Sequence, residues 1–149
     1  MKIEDAIKQK KFAAPQVKAW VNLIYTFNSL MDQINQVLKP IGVTQQQYNV
    51  LRILRGRDGQ PATCGEVKNV MMDKNPDLTR LSDRLVAKGL IKRTINEKNR
   101  REIDLVITEE GLRLLDKIDP ALKASSQFLH NLTDEEAEKL SDLLDKFRG

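Results

Sequence analysis

The chain has one cysteine, one histidine and one tryptophan among 149 residues, and aromatic residues make up only 5% of it. A single cysteine excludes a disulfide framework within the chain and points to a reducing compartment, the cytoplasm. With His130 alone, no nucleophile–base pair and no glycine-rich phosphate loop, catalysis has no visible machinery, and neither a metal nor a cofactor is expected. The opening residues, Met1 to Lys8, lack the apolar stretch of a signal peptide. No apolar run approaches the roughly 20 residues that span a bilayer, so no membrane partner is expected.

Charge and apolar residues are plentiful. Lys and Arg number 25 against 21 Asp and Glu, a net +4, with 31% charged and 40% hydrophobic residues. The apolar residues are too many and too periodic for a disordered chain. The length suits one domain, residues 1–149, able to bury roughly 70% of its extended surface. A surplus of four names no partner by itself. Its distribution is more informative: from Lys74 to Arg101 nine cations face three anions, a net +6, whereas Thr133 to Gly149 carries −3. A basic block on a compact domain is the footprint of a phosphate-backbone binder, although a charge run alone also describes an ordinary solvated face.

The order of elements around that block separates the two. Residues 1–12 are polar and basic, a short helix or arm. Val17, Trp20, Val21, Ile24, Phe27, Met31, Ile34 and Leu38 recur at three- and four-residue steps, which predicts a long amphipathic helix over 15–39, with Pro15 in its first turn and Pro40 and Gly42 ending it. Thr44 caps a second helix bearing Tyr48, Val50, Leu51 and Leu54. Thr63 caps a short third helix with Val67, Val70 and Met71. After the turn at Asp73-Lys74, Asn75 is the candidate cap and Pro76 the first residue of a fourth helix, which carries Leu78, Leu81 and Leu85 and closes near Gly89.

Residues 90–95 and 103–107 read as short strands joined by a basic loop, a β-hairpin. Leu112, Leu115, Ile118, Leu122, Phe128 and Leu129 predict a long helix that Pro120 kinks or splits. Thr133 and Glu136 form a capping box for a last helix burying Ala137, Leu140, Leu143, Leu144 and Phe147.

The fold class expected is therefore mainly α with a small β-hairpin. Residues 44–107 form a winged helix-turn-helix DNA-binding module, flanked by N- and C-terminal dimerisation helices at 15–39 and 109–149. In such modules the second helix enters the major groove and the hairpin loop reaches the backbone or minor groove. At 100° per residue, Leu78, Leu81 and Leu85 cluster on a buried face, while Pro76, Thr79, Arg80 and Asp83 point away, with Asp77 and Arg84 on the flanks. The DNA-facing set is Lys74, Asn75, Thr79, Arg80 and Arg84, with Lys98, Arg100 and Arg101 on the loop. The competing reading of the helix alone is an ion-paired surface, since Asp77–Arg80 and Arg80–Asp83 both have i, i+3 spacing.

Asp77-Leu-Thr-Arg-Leu-Ser-Asp-Arg-Leu-Val-Ala-Lys-Gly-Leu-Ile91 resembles the recognition helix and exit of MarR-type (multiple-antibiotic-resistance) transcriptional regulators. Their pattern is Thr-Arg-Leu-Val-Asp-Arg-Leu, two variable residues, then Lys-Gly-Leu-Val. Asn99-Arg100-Arg101 is similar to their Asp-Arg-Arg wing, and the run Ile107 to Leu112 to their Leu-Thr-Glu-Glu-Gly helix entry. Gln47 to Leu54 matches the helix before the helix-turn-helix. Asn99 stands where the family has an acidic residue, and the segment Cys64 to Val70 lacks the usual Leu-Ala pair.

The resemblance implies a sequence-specific DNA-binding regulator, a repressor that binds a pseudo-palindromic operator in double-stranded DNA as a homodimer and is released by a small effector. The apolar stripes of the helices outside the module independently favour a dimer over a self-contained six-helix monomer. The resemblance also implies a crevice for aromatic acids or phenols, which Trp20, Tyr25 and Phe27 could line; core packing is the alternative for those rings. Cys64 is either a small structural residue or, at a helix N-terminus, a redox-active thiol. The Asn99 departure leaves room for a winged-helix protein-interaction adaptor that has lost DNA binding.

Overall fold

The computed structural model describes residues 1–149, and the chain divides into two compact units, Met1–Gln45 and Gln46–Gly149. In the first, a one-turn helix α1 (Ile3–Ala6) precedes the long helix α2 (Pro15–Ile41). Glu4 of α1 is ion-paired with Lys18 of α2. Pro15 sits in the first turn of α2, where its missing N–H costs nothing. The helix runs through Pro40 to Ile41, two residues past the end read from the sequence. A proline in the last turn removes only the bond back to Gln36, so it does not stop the helix. Gly42 does: at φ +80° its N–H reaches the Lys39 carbonyl (3.1 Å), and the Val43 N–H reaches the Leu38 carbonyl (3.4 Å). These are the two bonds of a Schellman cap.

The second unit opens on α3 (Gln45–Arg55), which buries Val50, Leu51 and Leu54. Then come β1 (Ala62–Thr63), α4 (Cys64–Val70), α5 (Leu78–Ala87), β2 (Ile91–Ile95) and β3 (Ile103–Ile107). The expected hairpin is present, with Ile91 opposite Ile107 and Ile95 opposite Ile103. It is extended to a three-stranded antiparallel sheet, β1-β3-β2, because Ala62 pairs with Leu105 and Thr63 with Asp104. A two-residue strand is too short to show alternation in the sequence. Leu51, Leu54, Val67, Leu85, Ile91, Leu105, Leu115 and Ile118 are fully buried, and helices α4 and α5 pack on the strands of this sheet.

Helix α6 (Glu109–Ser125) continues across Pro120 and gives way to a 3-10 turn at Gln127–Asn131. Its end lies at the two serines, not at the proline. The hydroxyls of Ser125 and Ser126 both donate to the Leu122 carbonyl (2.9 and 2.6 Å), while the Ser126 N–H shifts to Lys123 (3.2 Å). Local side-chain bonds of this kind compete with the helical ladder. Helix α7 (Asp134–Arg148) starts with the expected capping box between Thr133 and Glu136. Its apolar face is not buried, contrary to the sequence reading: Leu140, Leu143 and Phe147 are exposed and Leu144 half-buried. No helix is long and apolar enough to cross a membrane.

Candidate nucleic-acid interface

Helix α4 is fastened at its start by a full capping box. The Thr63 hydroxyl accepts from the Glu66 N–H (3.2 Å), and the Glu66 carboxylate accepts from the Thr63 N–H (2.8 Å). That backbone N–H, with Arg57 nearby, holds the Glu66 carboxyl below its ordinary range despite some desolvation. The turn that follows is tied to α3. Asn49 Oδ1 accepts from the Met72 N–H (3.1 Å), and the Gln46 amide donates to Asp73. Asp73 in turn accepts from the Asn75 N–H (3.1 Å).

The cap of α5 differs from the sequence reading. Asp77, not Asn75, is the N-cap; its Oδ1 accepts from the Arg80 N–H (3.1 Å) and the helix starts at Leu78. Pro76 accordingly lies in the turn and is buried, rather than facing solvent as a first helical residue would. Both residues suit a cap, and the two-residue choice between them depends on where the turn is anchored. The faces are as the 100° rotation requires: Leu78, Leu81 and Leu85 are buried with Ser82, while Thr79, Arg80, Asp83 and Arg84 are exposed.

The ion pairs that the spacing allows along α5 do not form. Asp77 is used as a cap, and Asp83 pairs with Arg93 of β2. The Arg93 fork also donates to the Ser82 hydroxyl and the Thr79 carbonyl (3.1 Å), and Ser82 itself donates to that carbonyl (2.9 Å). One cation of the basic block is thus committed inside the unit, clasping α5 to the sheet. A lysine keeps the charge but cannot fork. Arg93→Lys is expected to lower stability by about 1–2 kcal/mol, read from urea unfolding; an unchanged midpoint would mean the clasp is inert.

Arg80 and Arg84 make no side-chain hydrogen bond or ion pair within the chain. They border a shallow cleft shared with Gln46, Asn75, Asp77 and Leu81. Lys74 is likewise exposed and unpaired. On the wing, Lys98, Arg100 and Arg101 are exposed with uncommitted side chains. The loop is shaped by its asparagines. Asn96 Oδ1 accepts from the N–H groups of Lys98 (2.9 Å) and Asn99 (2.8 Å), and Asn99 Oδ1 accepts from Arg101 (3.2 Å). The six cations read from the sequence as DNA-facing, three on or beside α5 and three on the wing, are thus all uncommitted, and they stand with Thr79 and Asn75. All eight residues read from the sequence as DNA-facing are exposed.

The other candidates stand apart. Trp20, Tyr25 and Phe27 are exposed on α2, not packed in a core; Trp20 and Phe27 are 53% and 58% exposed. Seven residues apart, those two share a face, whereas Tyr25 projects from another side. Cys64 is half-buried, and burial pushes its thiol up despite the opposing pull of Arg93. A raised thiol suits the structural reading over the redox one.

One cluster has no signal in the sequence, because its members are 64 and 71 residues apart. The Arg55 guanidinium donates to Asp119 Oδ2 (2.6 Å) and the Tyr48 hydroxyl to Oδ1 (3.0 Å), joining α3 to α6. Arg52 lies 5.8 Å from the Tyr48 ring centre. Burial alone would raise the Asp119 carboxyl, but the Arg55 and Tyr48 bonds outweigh it and leave it below its ordinary range. Burial and the same contact push the Tyr48 hydroxyl up.

Known proteins match this arrangement along most of the chain. The MarR family model matches residues 43–103. The multiple antibiotic resistance protein MarR of Salmonella typhimurium is 32% identical over 127 residues, covering 83% of this chain and 87% of that protein. The HTH-type transcriptional repressor MdtR of Bacillus subtilis is 33% identical over 111 residues, 74% of this chain and 70% of its own length. Among solved structures, a mutant MarR from E. coli complexed with operator DNA superposes with a TM-score of 0.73 at 30% identity, covering 84% of this chain and 90% of that one. AbsC, a MarR family regulator from Streptomyces coelicolor, gives 0.80 at 25% identity, with coverage of 93% and 96%. The helix-turn-helix, wing and flanking helices thus have counterparts of the same order and extent, and the chain belongs to the MarR family of transcriptional regulators.

Proposed function

We propose that this chain is a repressor that binds a pseudo-palindromic operator as a homodimer. The observation that carries the reading is the pair Arg80 and Arg84, exposed on α5 and free of internal partners, with the free cations of the wing in the same compact unit. Arg80, Thr79 and Arg84 read the major groove; Arg pairs bidentately with guanine O6 and N7. Lys74, Asn75, Lys98, Arg100 and Arg101 hold the flanking backbone or minor groove, where neutralised phosphates supply affinity without sequence preference. The E. coli relative solved with operator DNA supports DNA binding as such.

Residues 44–107 serve as the DNA-binding module, and the helices within 15–39 and 109–149 join two copies. Apolar side chains left exposed on both flanking segments support that role: Trp20, Leu23, Ile24 and Phe27 on α2, and Leu140, Leu143 and Phe147 on α7. A two-fold dimer sets two recognition helices about 34 Å apart, one turn of DNA. An aromatic or phenolic effector stacking on Trp20, Tyr25 or Phe27 releases the repressor.

Salt titration of the wing tests the site. The logarithm of the binding constant is expected to fall linearly with the logarithm of salt concentration, and Lys98→Ala to flatten that slope by about one while weakening all sequences alike. A slope unchanged in Lys98→Ala would remove the wing from the interface.

A further inference from the structure

The wing of this protein carries asparagines at 96 and 99, and the hydrogen bonds show what shapes its loop. Asn96 is bonded on every side: Oδ1 accepts from the Lys98 and Asn99 N–H groups, its own N–H reaches the Glu102 carbonyl (3.1 Å), and Nδ2 donates to Asp104 Oδ1 (2.9 Å). Asp104 is buried in β3, opposite Thr63 and Thr94. The Glu102 N–H closes the loop on the Asn99 carbonyl (2.8 Å).

We propose that Asn96 is the positioning residue of the wing, paired with Asp104, and that this pair presets the loop from which Lys98, Arg100 and Arg101 contact DNA. The inference rests on the DNA-binding reading above. The chemistry explains why position 96 requires an amide. The oxygen must accept two backbone N–H groups, which an aspartate could also do. The nitrogen must donate to a buried carboxylate, which an aspartate could not. An acid at 96 would face Asp104 as a second negative charge, in a cleft that Glu66, Glu97 and Glu102 also line, with Arg57 and Lys98 as its only cations. A loop shaped before binding spends less on ordering when it meets DNA.

The reasoning makes the two positions exchangeable as a pair. Asn96→Asp alone removes the donor and sets two acids together. Asn96→Asp with Asp104→Asn restores one amide and one carboxylate at unchanged net charge, with Asn at 104 now donating to Asp at 96. Amide hydrogen exchange in the free protein and titration with specific DNA are measured on the wild type and both variants, after thermal unfolding has shown that each folds. In Asn96→Asp, exchange at Lys98 and Asn99 is expected to quicken roughly tenfold, and affinity to fall by a similar factor. The double variant should recover both to within about twofold.

Unchanged exchange in Asn96→Asp, or a double variant no better than the single one, overturns the proposal. If the wild type shows no selective DNA binding while exchange follows the predicted pattern, the regulator reading fails and the clamp stands. If binding is selective and exchange does not follow, the clamp fails and the regulator stands.

Discussion

Replacing Arg80 by alanine is expected to weaken binding to the specific site by about 1–3 kcal/mol, roughly fivefold to 150-fold, and to relax discrimination at one base pair. The size of the effect follows from what the side chain lacks. Had Arg80 been bonded to Asp77 or Asp83, part of its interaction with a base would be offset by breaking those bonds. Asp77 instead caps the helix through its carboxylate, and Asp83 is held by Arg93, so the guanidinium is left uncommitted. Arg80→Lys separates charge from geometry. It keeps the positive charge but loses the bidentate fork, so its salt slope should match the wild type while discrimination falls. Equal affinity and selectivity in Arg80→Ala would remove α5 from the base-reading role.

The second large effect concerns the junction between the wing and α6. Gly111 lies in the first turn of α6, where helix propensity alone would favour alanine by about 1 kcal/mol. The packing reverses that sign. A Cβ at this position would stand 2.3 Å from the Leu90 carbonyl oxygen and 2.7 Å from Ile107 Cγ1. The carbonyl cannot move aside, because it already accepts the Thr108 N–H (3.1 Å); the Thr108 hydroxyl donates to Gly89 next to it (2.7 Å). Overpacking of a fixed backbone costs about 1–3 kcal/mol and sometimes more. Gly111→Ala is therefore expected to be destabilised in denaturant unfolding and to lower the Tm by several degrees. A stabilised variant would show that the α6 entry is loosely packed.

Much of this architecture was legible locally. The three-leucine face of α5, the Thr63 and Thr133 caps and the apolar spacing of α3 are all decided within a few residues, where periodicity and capping chemistry operate. Elsewhere, tertiary contacts decide between competing local signals. Asn75-Pro76 and Asp77 both suit a helix start, and the choice went to Asp77 once Gln46 and Asn49 had anchored the turn. Of the Pro40-Gly42 end signal only Gly42 ends α2, and Pro120, which predicts a kink or split, lies inside α6; each proline removes a single bond, and α6 ends at the serines beside Leu122. The apolar face of α7 was correctly recognised as a face but not as an exposed one, since periodicity does not say what covers it.

The candidate site divides in the same way. The exposure of Thr79, Arg80 and Arg84 follows from helix rotation alone. Arg93 and Asn96 were invisible as organisers because their acceptors, Ser82, Asp83 and Asp104, lie 8 to 11 residues away across a turn or hairpin. The Tyr48–Asp119–Arg55 cluster was out of reach for the same reason, at much greater separation. An arginine in a basic block reads as a surface charge until its partners are located. Among the cations between Lys74 and Arg101, Arg93 is half-buried and holds the helix in place.

The most direct test of the account is a gel-shift titration of the wild-type chain against the DNA flanking its own gene, at two salt concentrations and with unrelated DNA as competitor. A discrete complex that survives the competitor and weakens steeply as salt rises is expected. Weak, sequence-blind retardation at both salt concentrations would contradict it and favour a winged-helix adaptor.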